Sequence, residues 1–517
     1  MRKIILFLLA AELSAVALFP QEKIDPGVIG RIKNEAFQNS KAMDHAFWLT
    51  DVFGPRMTGS PGFRAACEWA IQRFKEYGLE DARKEKLSWG RDWSCTRFTA
   101  HLLEPQYAPL IAVPMPWSPG TNGPAVGEAI LAPILNFYDR ARLSEMDFDK
   151  FFEDNRGKVK GKMVLIQQPR EISPQTTPSI KRFSAEELAE LAVPPVASGQ
   201  KPAAKTFNPY MSILKVIQFL RDEGALALIW GSGHSYGTVV LFTPPAYRES
   251  NVTLPLPLIC LAPEHYNRLA RLLEKKIPVR LEVELQARIR EDTPDAFNVI
   301  AEIPGGRKKD EVVMLGAHLD SWTAGTGAAD NAAGCAVVME AMRILKALDL
   351  KMDRTVRIAL WGGEEGPGLG SKTYIRDHFA DIETMTLKPE HAKLSCYFNL
   401  DNGAGKIRGI YLENNAKVKP IFEAWLAPFK DLGATTVAIA GEPYGTDNMS
   451  FDQAGLPGFQ FIQDPLDYDT RAYHSNMDVY DRLQAEDLKQ AALIMASFVY
   501  HAAMRGELLP RKPLPKR

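Results

Sequence analysis

Short apolar runs alternate with helical stretches through the C-terminal half of this 517-residue chain. The runs have the length and composition of buried strands, and apolar residues recur at helical spacing between them. The strand-like runs are AFNVIAEI (296–303), EVVMLGA (311–317), VRIALW (356–361), LSCYFNL (394–400), TTVAIA (435–440) and PGFQFI (457–462). This alternation predicts an α/β fold, a doubly wound and mostly parallel sheet with helices on both faces.

The middle of the chain is richer in strands and has only short helices between them. Strand candidates there are VKGKMVLIQQ (159–168), GALALIWG (224–231), LPLICLA (256–262) and VRLEVEL (279–285). One short helix opens with the capping box Ser184-x-x-Glu187, inside a Pro-, Ala-, Ser- and Lys-rich stretch (171–208) that indicates an exposed or partly disordered insertion. The prediction is therefore a β-rich domain inserted into a larger α/β domain. The expected ranges are 24–124 and 289–507 for the larger domain, 125–288 for the insertion and 508–517 for a basic tail.

The first residues, MRKIILFLLAAELSAVALFPQ, have the pattern of a cleavable export signal. A basic start precedes an apolar run, and Ala15-Val16-Ala17 is a small-x-small cleavage candidate. The run is short and Glu12 interrupts it, so no stable membrane anchor is expected after cleavage. The expected signal peptide is 1–17, and the expected location is periplasmic or secreted.

Charge and cysteine content exclude two classes of function. Lys plus Arg number 62 against 63 Asp plus Glu, a net charge of -1, which gives no electrostatic case for nucleic-acid binding. The five cysteines form no CxxC pair, so the chain is not a disulfide scaffold.

Polar side chains follow three successive predicted strands, at the point where each strand ends. His318 comes just after EVVMLGA, Glu364 and Glu365 just after VRIALW, and Asp401 directly after LSCYFNL. In open α/β sheets, ligands bind beyond the carboxyl ends of the strands. The sequence therefore predicts that these side chains meet at one edge of the sheet.

A cation is needed to hold such a group together. Asp330 lies in the small-residue stretch GAHLDSWTAGTGAADNAAG (316–334), and His474 lies in RAYHSNMDVYD ahead of the final helix. Several carboxylates in one crevice repel one another and lose hydration unless a positive charge compensates them. Imidazole nitrogen and carboxylate oxygen are suitable Zn²⁺ ligands. The pattern favours a zinc site, with a helix cap as the alternative for Asp330.

The motifs around these residues resemble those of the co-catalytic zinc aminopeptidase and carboxypeptidase family. The matching segments are LTDVFGPRMTGSPG (49–62), PWSPGT (116–121), HLDSW (318–322), GAADNAAG (327–334), WGGEEGPGLGS (361–371), LDNGAG (400–405) and YHSNMD (473–478). They cover nearly the whole chain after the signal. The inserted block, with VKGKMVLI and GALALIW, looks like the protease-associated domain that some members carry.

The resemblance implies two zinc ions per chain and a role for each matching residue. Asp330 would bridge both ions, His318 and Asp401 would complete one site, and Glu365 and His474 the other. As further catalytic residues it implies Glu364 as the general base, Asp320 as the residue that orients the His318 imidazole, and Tyr473 as a donor to the developing oxyanion.

The expected function is that of an exported di-zinc exopeptidase, most simply an aminopeptidase or dipeptidase acting on peptides. Asp447, Asn448 and Tyr444 lie in a segment expected to border the cleft, with Asp447 as a candidate for the substrate ammonium. A glutamate-carboxypeptidase-like enzyme would instead read a free carboxylate, for which Arg471 is the candidate. A receptor-like protein with a decayed site and a single-zinc glutaminyl cyclase are further alternatives. A homodimer is compatible with the sequence.

Overall fold

The computed structural model describes residues 22–135, 147–194, 209–242, 245–249, 251–293, 295–366, 368–441, 443 and 445–515. The predicted signal peptide and Tyr444 lie outside the described residues. Within these ranges, no helix is both long and apolar enough to cross a membrane.

Twelve α-helices are described, and most of them have a proline in their first turn or a polar capping residue before it. In chain order they are α1 Pro26–Gln38, α2 Ala42–Phe47, α3 Pro61–Glu76, α4 Phe148–Asn155, α5 Ala185–Ala192, α6 Pro209–Asp222, α7 Pro263–Glu274, α8 Ala333–Ala347, α9 Leu369–His378, α10 Lys419–Leu426, α11 Asn448–Gln453 and α12 Ala485–Met504. The predicted capping box is present at α5, where the Ser184 hydroxyl accepts the N–H of Glu187 and the Glu187 carboxylate accepts the N–H of Ser184.

Eighteen strands are described. They are β1 Glu80–Lys86, β2 Gly90–Glu104, β3 Ala108–Pro109, β4 Ala112–Pro114, β5 Ala125–Leu135, β6 Met163–Gln167, β7 Ala227–Gly231, β8 Leu258–Leu261, β9 Arg280–Thr293, β10 Phe297–Ile303, β11 Lys308–His318, β12 Arg354–Trp361, β13 Ala380–Asp381, β14 Thr386–Leu387, β15 Leu394–Asn399, β16 Ile407–Tyr411, β17 Thr436–Ala438 and β18 Gly458–Gln463.

The first large sheet is the predicted doubly wound sheet. Its eight strands lie in the order β1-β10-β12-β11-β15-β18-β16-β17. The pairs β12–β11, β11–β15, β15–β18 and β16–β17 are parallel, whereas β1–β10, β10–β12 and β18–β16 are antiparallel. The mixed α/β fold is therefore as predicted.

Both faces of this sheet are buried, because apolar side chains of its central strands point alternately to one face and the other. Val313, Leu315 and Ala317 of β11 pack into the cluster that holds α8 and α12, whereas Val312 and Met314 pack with α9 and α11. Successive side chains of a strand point to opposite faces, so helices are needed on both sides. The carboxyl ends of the strands remain uncovered by these layers.

The second large sheet corresponds to the predicted insertion, but it recruits more of the chain. Its eight strands lie in the order β3-β2-β9-β5-β6-β7-β8-β4, so three strands that precede residue 125 belong to it. β2 pairs antiparallel with β9 along most of its length. A boundary at residue 125 therefore falls inside this sheet, because the pairing of β2 ties residues from Gly90 onward to it.

Candidate metal centre

Three neighbouring parallel strands deliver the predicted ligands to one edge of the first sheet. His318 is the last residue of β11, the glutamate turn follows β12, and Asp401 lies two residues beyond β15. β11 lies between β12 and β15, and all three run in the same direction. Their carboxyl ends therefore meet at one crevice, where α/β proteins bind ligands.

Two histidines and two further carboxylates surround Asp330 at metal-ligand spacing. His318 Nε2 lies 3.2 Å from Asp330 Oδ1 and 3.3 Å from Asp401 Oδ1. His474 Nε2 lies 3.1 Å from Glu365 Oε2 and 3.5 Å from Asp330 Oδ2. Each oxygen of Asp330 thus faces a different histidine. The structure brings together all the residues that the sequence predicted as ligands, in two sets that share Asp330.

The electrostatics of this group call for cations. Asp330 Oδ2 and Glu365 Oε1 are buried without a hydrogen-bond partner among the described residues. Burial, followed by neighbouring charges, raises the pKa values of Glu364 and Glu365 well above their usual range. Burial lowers the pKa of His318, but Asp401 and the other surrounding carboxylates raise it well above its ordinary value. The cluster therefore attracts positive charge, and its nitrogen and oxygen donors fit zinc.

Asp320 has a wider role than the predicted contact with His318. The His318 Nδ1 lies 3.0 Å from the backbone carbonyl of Asp320 but 3.6 Å from its carboxylate. The Asp320 carboxylate instead accepts the backbone N–H groups of Glu364 at 3.2 Å and Glu365 at 3.3 Å, and the Thr58 hydroxyl at 2.8 Å. Asp320 therefore holds the imidazole by its main chain and the glutamate turn by its side chain.

Asp478 is a supporting residue to which the sequence analysis gave no role. Its carboxylate accepts the backbone N–H of Ala329 at 2.6 Å and of Asp330 at 3.2 Å. The predicted alternative of Asp330 as a helix cap is wrong, because the Asn331 side chain accepts the Gly334 N–H at the start of α8. Asp478 could have been found from the YHSNMD motif, in which it is the acidic residue four positions after His474.

Arg56 holds the loop after β11 through hydrogen bonds to its backbone. Its side chain is fully buried and donates to four backbone carbonyls, those of Leu49 (2.5 Å), Leu319 (2.8 Å), Thr326 (2.8 Å) and Gly327 (2.9 Å). The Thr58 hydroxyl, two residues on, also accepts the Gly363 N–H at 2.9 Å. The short segment between α2 and α3 therefore connects the His318 loop to the glutamate turn.

Arg56→Met should destabilise the metal-free protein by more than about 3 kcal/mol, because it leaves several buried carbonyls without a donor. The measurement is chemical denaturation in excess chelator. Arg31→Met provides a matched control, since Arg31 donates to a single carbonyl at an exposed position. Equal stability of the two variants would contradict a structural role for Arg56.

A loop of the second sheet packs directly on the His474 segment. The Leu241 N–H donates to the His474 carbonyl at 3.0 Å, and Val240 forms an antiparallel bridge with Ser475. The ring of Phe242 lies 5.2 Å from the His474 imidazole. The second sheet therefore fixes the backbone that presents His474.

The metal centre opens into a cavity of about 240 Å³. Its described lining residues are Asp330, Glu364, Glu365, Gly366, Asp401, Asn402, Gly445, Tyr468, Asp469, Tyr473 and His474. Among these, every side chain with a permanent charge is a carboxylate, and neither lysine nor arginine lines the cavity. Tyr473, the predicted oxyanion donor, lies here with its ring stacked 3.7 Å from the His474 ring.

The segment that holds Asp447 and Asn448 borders the cavity through Gly445, and the Thr446 hydroxyl donates to the Asp401 carboxylate at 2.6 Å. Asp447 is only 2% exposed and precedes α11 without capping it, and burial raises its pKa to about 7. The Asn448 amide is also buried and donates to Glu413 at 3.0 Å. The Arg471 guanidinium lies 5.9 Å from the ring of Tyr236. None of these three residues is in the described cavity lining, and their roles in substrate binding stay predictions.

An α/β sheet that presents two histidines and several carboxylates around a cavity defines a metal-dependent hydrolase. Residues 298–499 match the model of Peptidase family M28, and all the predicted ligands lie within that range, so the protein is a metallopeptidase similar to that family.

Relatives extend the likeness over the whole chain. Carboxypeptidase Q of Homo sapiens is 26% identical over 490 residues, covering 94% of this chain and 89% of the relative. The solved peptidase M28 precursor of Shewanella amazonensis has a TM-score of 0.68 at 24% identity, covering 95% of this chain and 99% of that one. The zinc aminopeptidase BSAP of Bacillus subtilis has a TM-score of 0.55 at 18% identity, covering 90% and 94%. The predicted family and fold are confirmed.

Proposed function

We propose that the protein is an exported di-zinc exopeptidase that releases N-terminal residues from peptides or cleaves dipeptides. The observation that carries the direction of cleavage is Asp469, the exposed carboxylate of the described cavity lining that is neither a proposed zinc ligand nor the base. A carboxylate at the rim attracts the α-ammonium group of a peptide, whereas it repels a free C-terminal carboxylate.

Zinc fits the donor set in two places. His318 and Asp401 would hold one ion, Glu365 and His474 the other, and Asp330 would contact both through its two oxygens. When bound, the ions would supply Lewis acidity that polarises the scissile carbonyl and lowers the pKa of a water molecule. The unpartnered oxygens of Asp330 and Glu365 support this assignment.

Glu364 is the residue that moves the proton. It lines the cavity, and its carboxylate has no hydrogen-bond partner among the described residues, so it is free to face a water molecule. Burial raises the pKa of Glu364 well above its usual range, which favours a group that both accepts and returns a proton. Glu364 accepts the proton of the attacking water and then transfers it to the nitrogen of the leaving amine. Tyr473 donates a hydrogen bond to the carbonyl oxygen.

Asp469 replaces Asp447 as the candidate for ammonium binding. Asp469 lines the cavity and is exposed, so a substrate can reach it without displacing the core. It follows Tyr468 at the start of the short turn that leads to His474. An ammonium held there lies at the mouth of the metal site, which suits cleavage after the first residue.

Asp469→Asn should raise KM about tenfold for peptides with a free amino terminus, because an exposed charge-assisted hydrogen bond is lost. Steady-state kinetics with aminoacyl amides measures this, and kcat and zinc content should stay unchanged. Asp481→Asn is the matched control, an exposed carboxylate outside the cavity lining. An unchanged KM for Asp469→Asn would place ammonium recognition elsewhere.

Carboxypeptidase activity is the second candidate, favoured by the likeness to carboxypeptidase Q over most of both chains. Substrates with one blocked end separate the two. The Asp469 carboxylate at the cavity predicts hydrolysis of aminoacyl amides and little hydrolysis of N-acetyl dipeptides that keep a free carboxylate. The reverse preference would establish the carboxypeptidase direction.

Export rests on the N-terminal sequence pattern of a basic start, an apolar run and a small-residue cleavage site. We assign the enzyme to the periplasm or the extracellular medium, where it would act on short peptides.

A further inference from the structure

A second phenol lines the cavity beside Tyr473. The side chain of Tyr468 is 6% exposed, and its ring centroid lies 5.4 Å from that of Tyr473 at an interplanar angle of 53°. Its hydroxyl forms no hydrogen bond with the part of the chain that the structure describes, yet it is not sealed from solvent. A tyrosine this buried normally pairs its hydroxyl with a protein group. The cavity is therefore where the hydroxyl of Tyr468 can find a partner.

The local backbone fixes Tyr468 next to a ligand loop. Tyr468 opens the short helical turn Tyr468–Ala472, and the Tyr473 N–H donates to the Tyr468 carbonyl at 2.9 Å. The ring base packs on Gly403, where an added Cβ would lie 3.7 Å from the Tyr468 Cβ. Gly403 has a φ of +130° and follows Asp401 by two residues. The ring is thus held between the Asp401 loop and the His474 loop.

The rest of the described lining is short of side-chain donors. Ionised carboxylates only accept hydrogen bonds, and the His474 Nε2 faces Glu365. The Asn402 amide nitrogen also lacks a hydrogen-bond partner among the described residues, but it is buried from the cavity solvent. The hydroxyls of Tyr468 and Tyr473 are the side-chain donors that remain. Peptide hydrolysis builds negative charge on the scissile carbonyl oxygen, and preorganised donors stabilise that charge.

We propose that Tyr468 is a second catalytic phenol, which donates a hydrogen bond to the scissile carbonyl oxygen together with Tyr473. The assignment rests on the proposed peptide hydrolysis. As the water oxygen bonds to the carbonyl carbon, the π electron pair moves onto the oxygen. Tyr468 keeps its proton and strengthens its hydrogen bond to that oxygen. The pair then returns, the C–N bond breaks, and Glu364 transfers its proton to the amine.

The surroundings of Tyr468 keep it a donor. Burial, followed by the carboxylates of Asp330, Asp401 and Glu365, raises the pKa of Tyr468 well above its ordinary value. Burial is the largest of these effects and does not depend on the charge of the ligand carboxylates, so it favours the protonated phenol.

Tyr468→Phe, which removes only the hydroxyl, should lower kcat about 100-fold and leave KM and zinc content unchanged. Tyr500→Phe is the matched control, because Tyr500 is also largely buried but lies on α12. Its kinetics should equal those of the wild type. Circular dichroism and zinc content of both variants establish that the fold and the metal centre are intact.

A transition-state analogue separates catalysis from packing. A phosphinic peptide should bind Tyr468→Phe more weakly by the same factor as the loss in kcat/KM, whereas the product amino acid should bind unchanged. A raised KM with unchanged kcat, or unchanged affinity for the phosphinic peptide, would overturn the catalytic assignment. No peptide hydrolysis by zinc-loaded wild-type protein would overturn the proposed function itself, whereas wild-type hydrolysis with unchanged Tyr468→Phe kinetics overturns this inference alone.

Discussion

Glu364→Gln is expected to lower kcat on the order of 10²–10⁴-fold while the protein keeps its full zinc content. The amide has nearly the same size and shape as the carboxylate, but it cannot accept the proton of the attacking water. The five proposed ligands remain in place, and the backbone N–H of residue 364 still has the Asp320 carboxylate as its acceptor. Steady-state kinetics and metal analysis on the same preparation make the measurement.

Glu365→Gln is the control for the Glu364→Gln experiment. Glu365 Oε2 lies 3.1 Å from His474 Nε2, so Glu365→Gln should lose zinc as well as activity. If both variants lost zinc equally, the division into one base and one ligand would be wrong. Full activity of Glu364→Gln would exclude Glu364 as the base.

Asp330→Ala is expected to abolish hydrolysis and to remove both metal equivalents. Its two oxygens face different histidines, at 3.2 Å and 3.5 Å, so no other proposed ligand joins the two sets. Loss of the Lewis acid should cost several kcal/mol of transition-state stabilisation, about 10³-fold or more in rate. Zinc per chain, measured after dialysis against a weak chelator, should fall from about two to near zero.

One variant from each ligand set shows whether Asp330 contacts both metal ions. Asp401→Ala and Glu365→Ala should each weaken one site more than the other, since each faces one histidine. Retention of a full metal complement by Asp330→Ala would contradict the shared role. Loss of a single equivalent would assign Asp330 to one ion only.

Sequence reasoning could predict that the candidate ligands lie together, because the ends of buried strands can be recognised in a sequence. A buried strand such as EVVMLGA shows where its carboxyl end lies, and parallel neighbours bring such ends to the same edge. His318, Glu365 and Asp401 could be predicted in this way. Asp330 and His474 were candidates from their residue type and surroundings, because their loops have no periodicity of their own, and the motif resemblance supplied their roles.

The cavity wall was harder to predict because loop side chains follow no repeat. Asp447 and Asp469 both lie in polar loop sequence before His474, and nothing in the pattern distinguishes the buried one from the exposed one. Only the packing of α11 against the sheet buries Asp447, and only the turn Tyr468–Ala472 directs Asp469 to the cavity. Arg56 was missed for the same reason, since its partners are backbone carbonyls far away in sequence.

The pairing of Val239 with Asn476 closes a chain segment of 237 residues, and His474 is positioned only when that closure is made. Closing so long a segment lowers the conformational entropy of the chain before any stabilising contact forms, and pairings between residues far apart in sequence slow folding. The nascent chain can therefore build its second sheet first, while the histidine that completes the ligand set is still to be synthesised. Zinc binding would then come late in folding, and we expect damage to the second sheet to appear as protein that accumulates without metal.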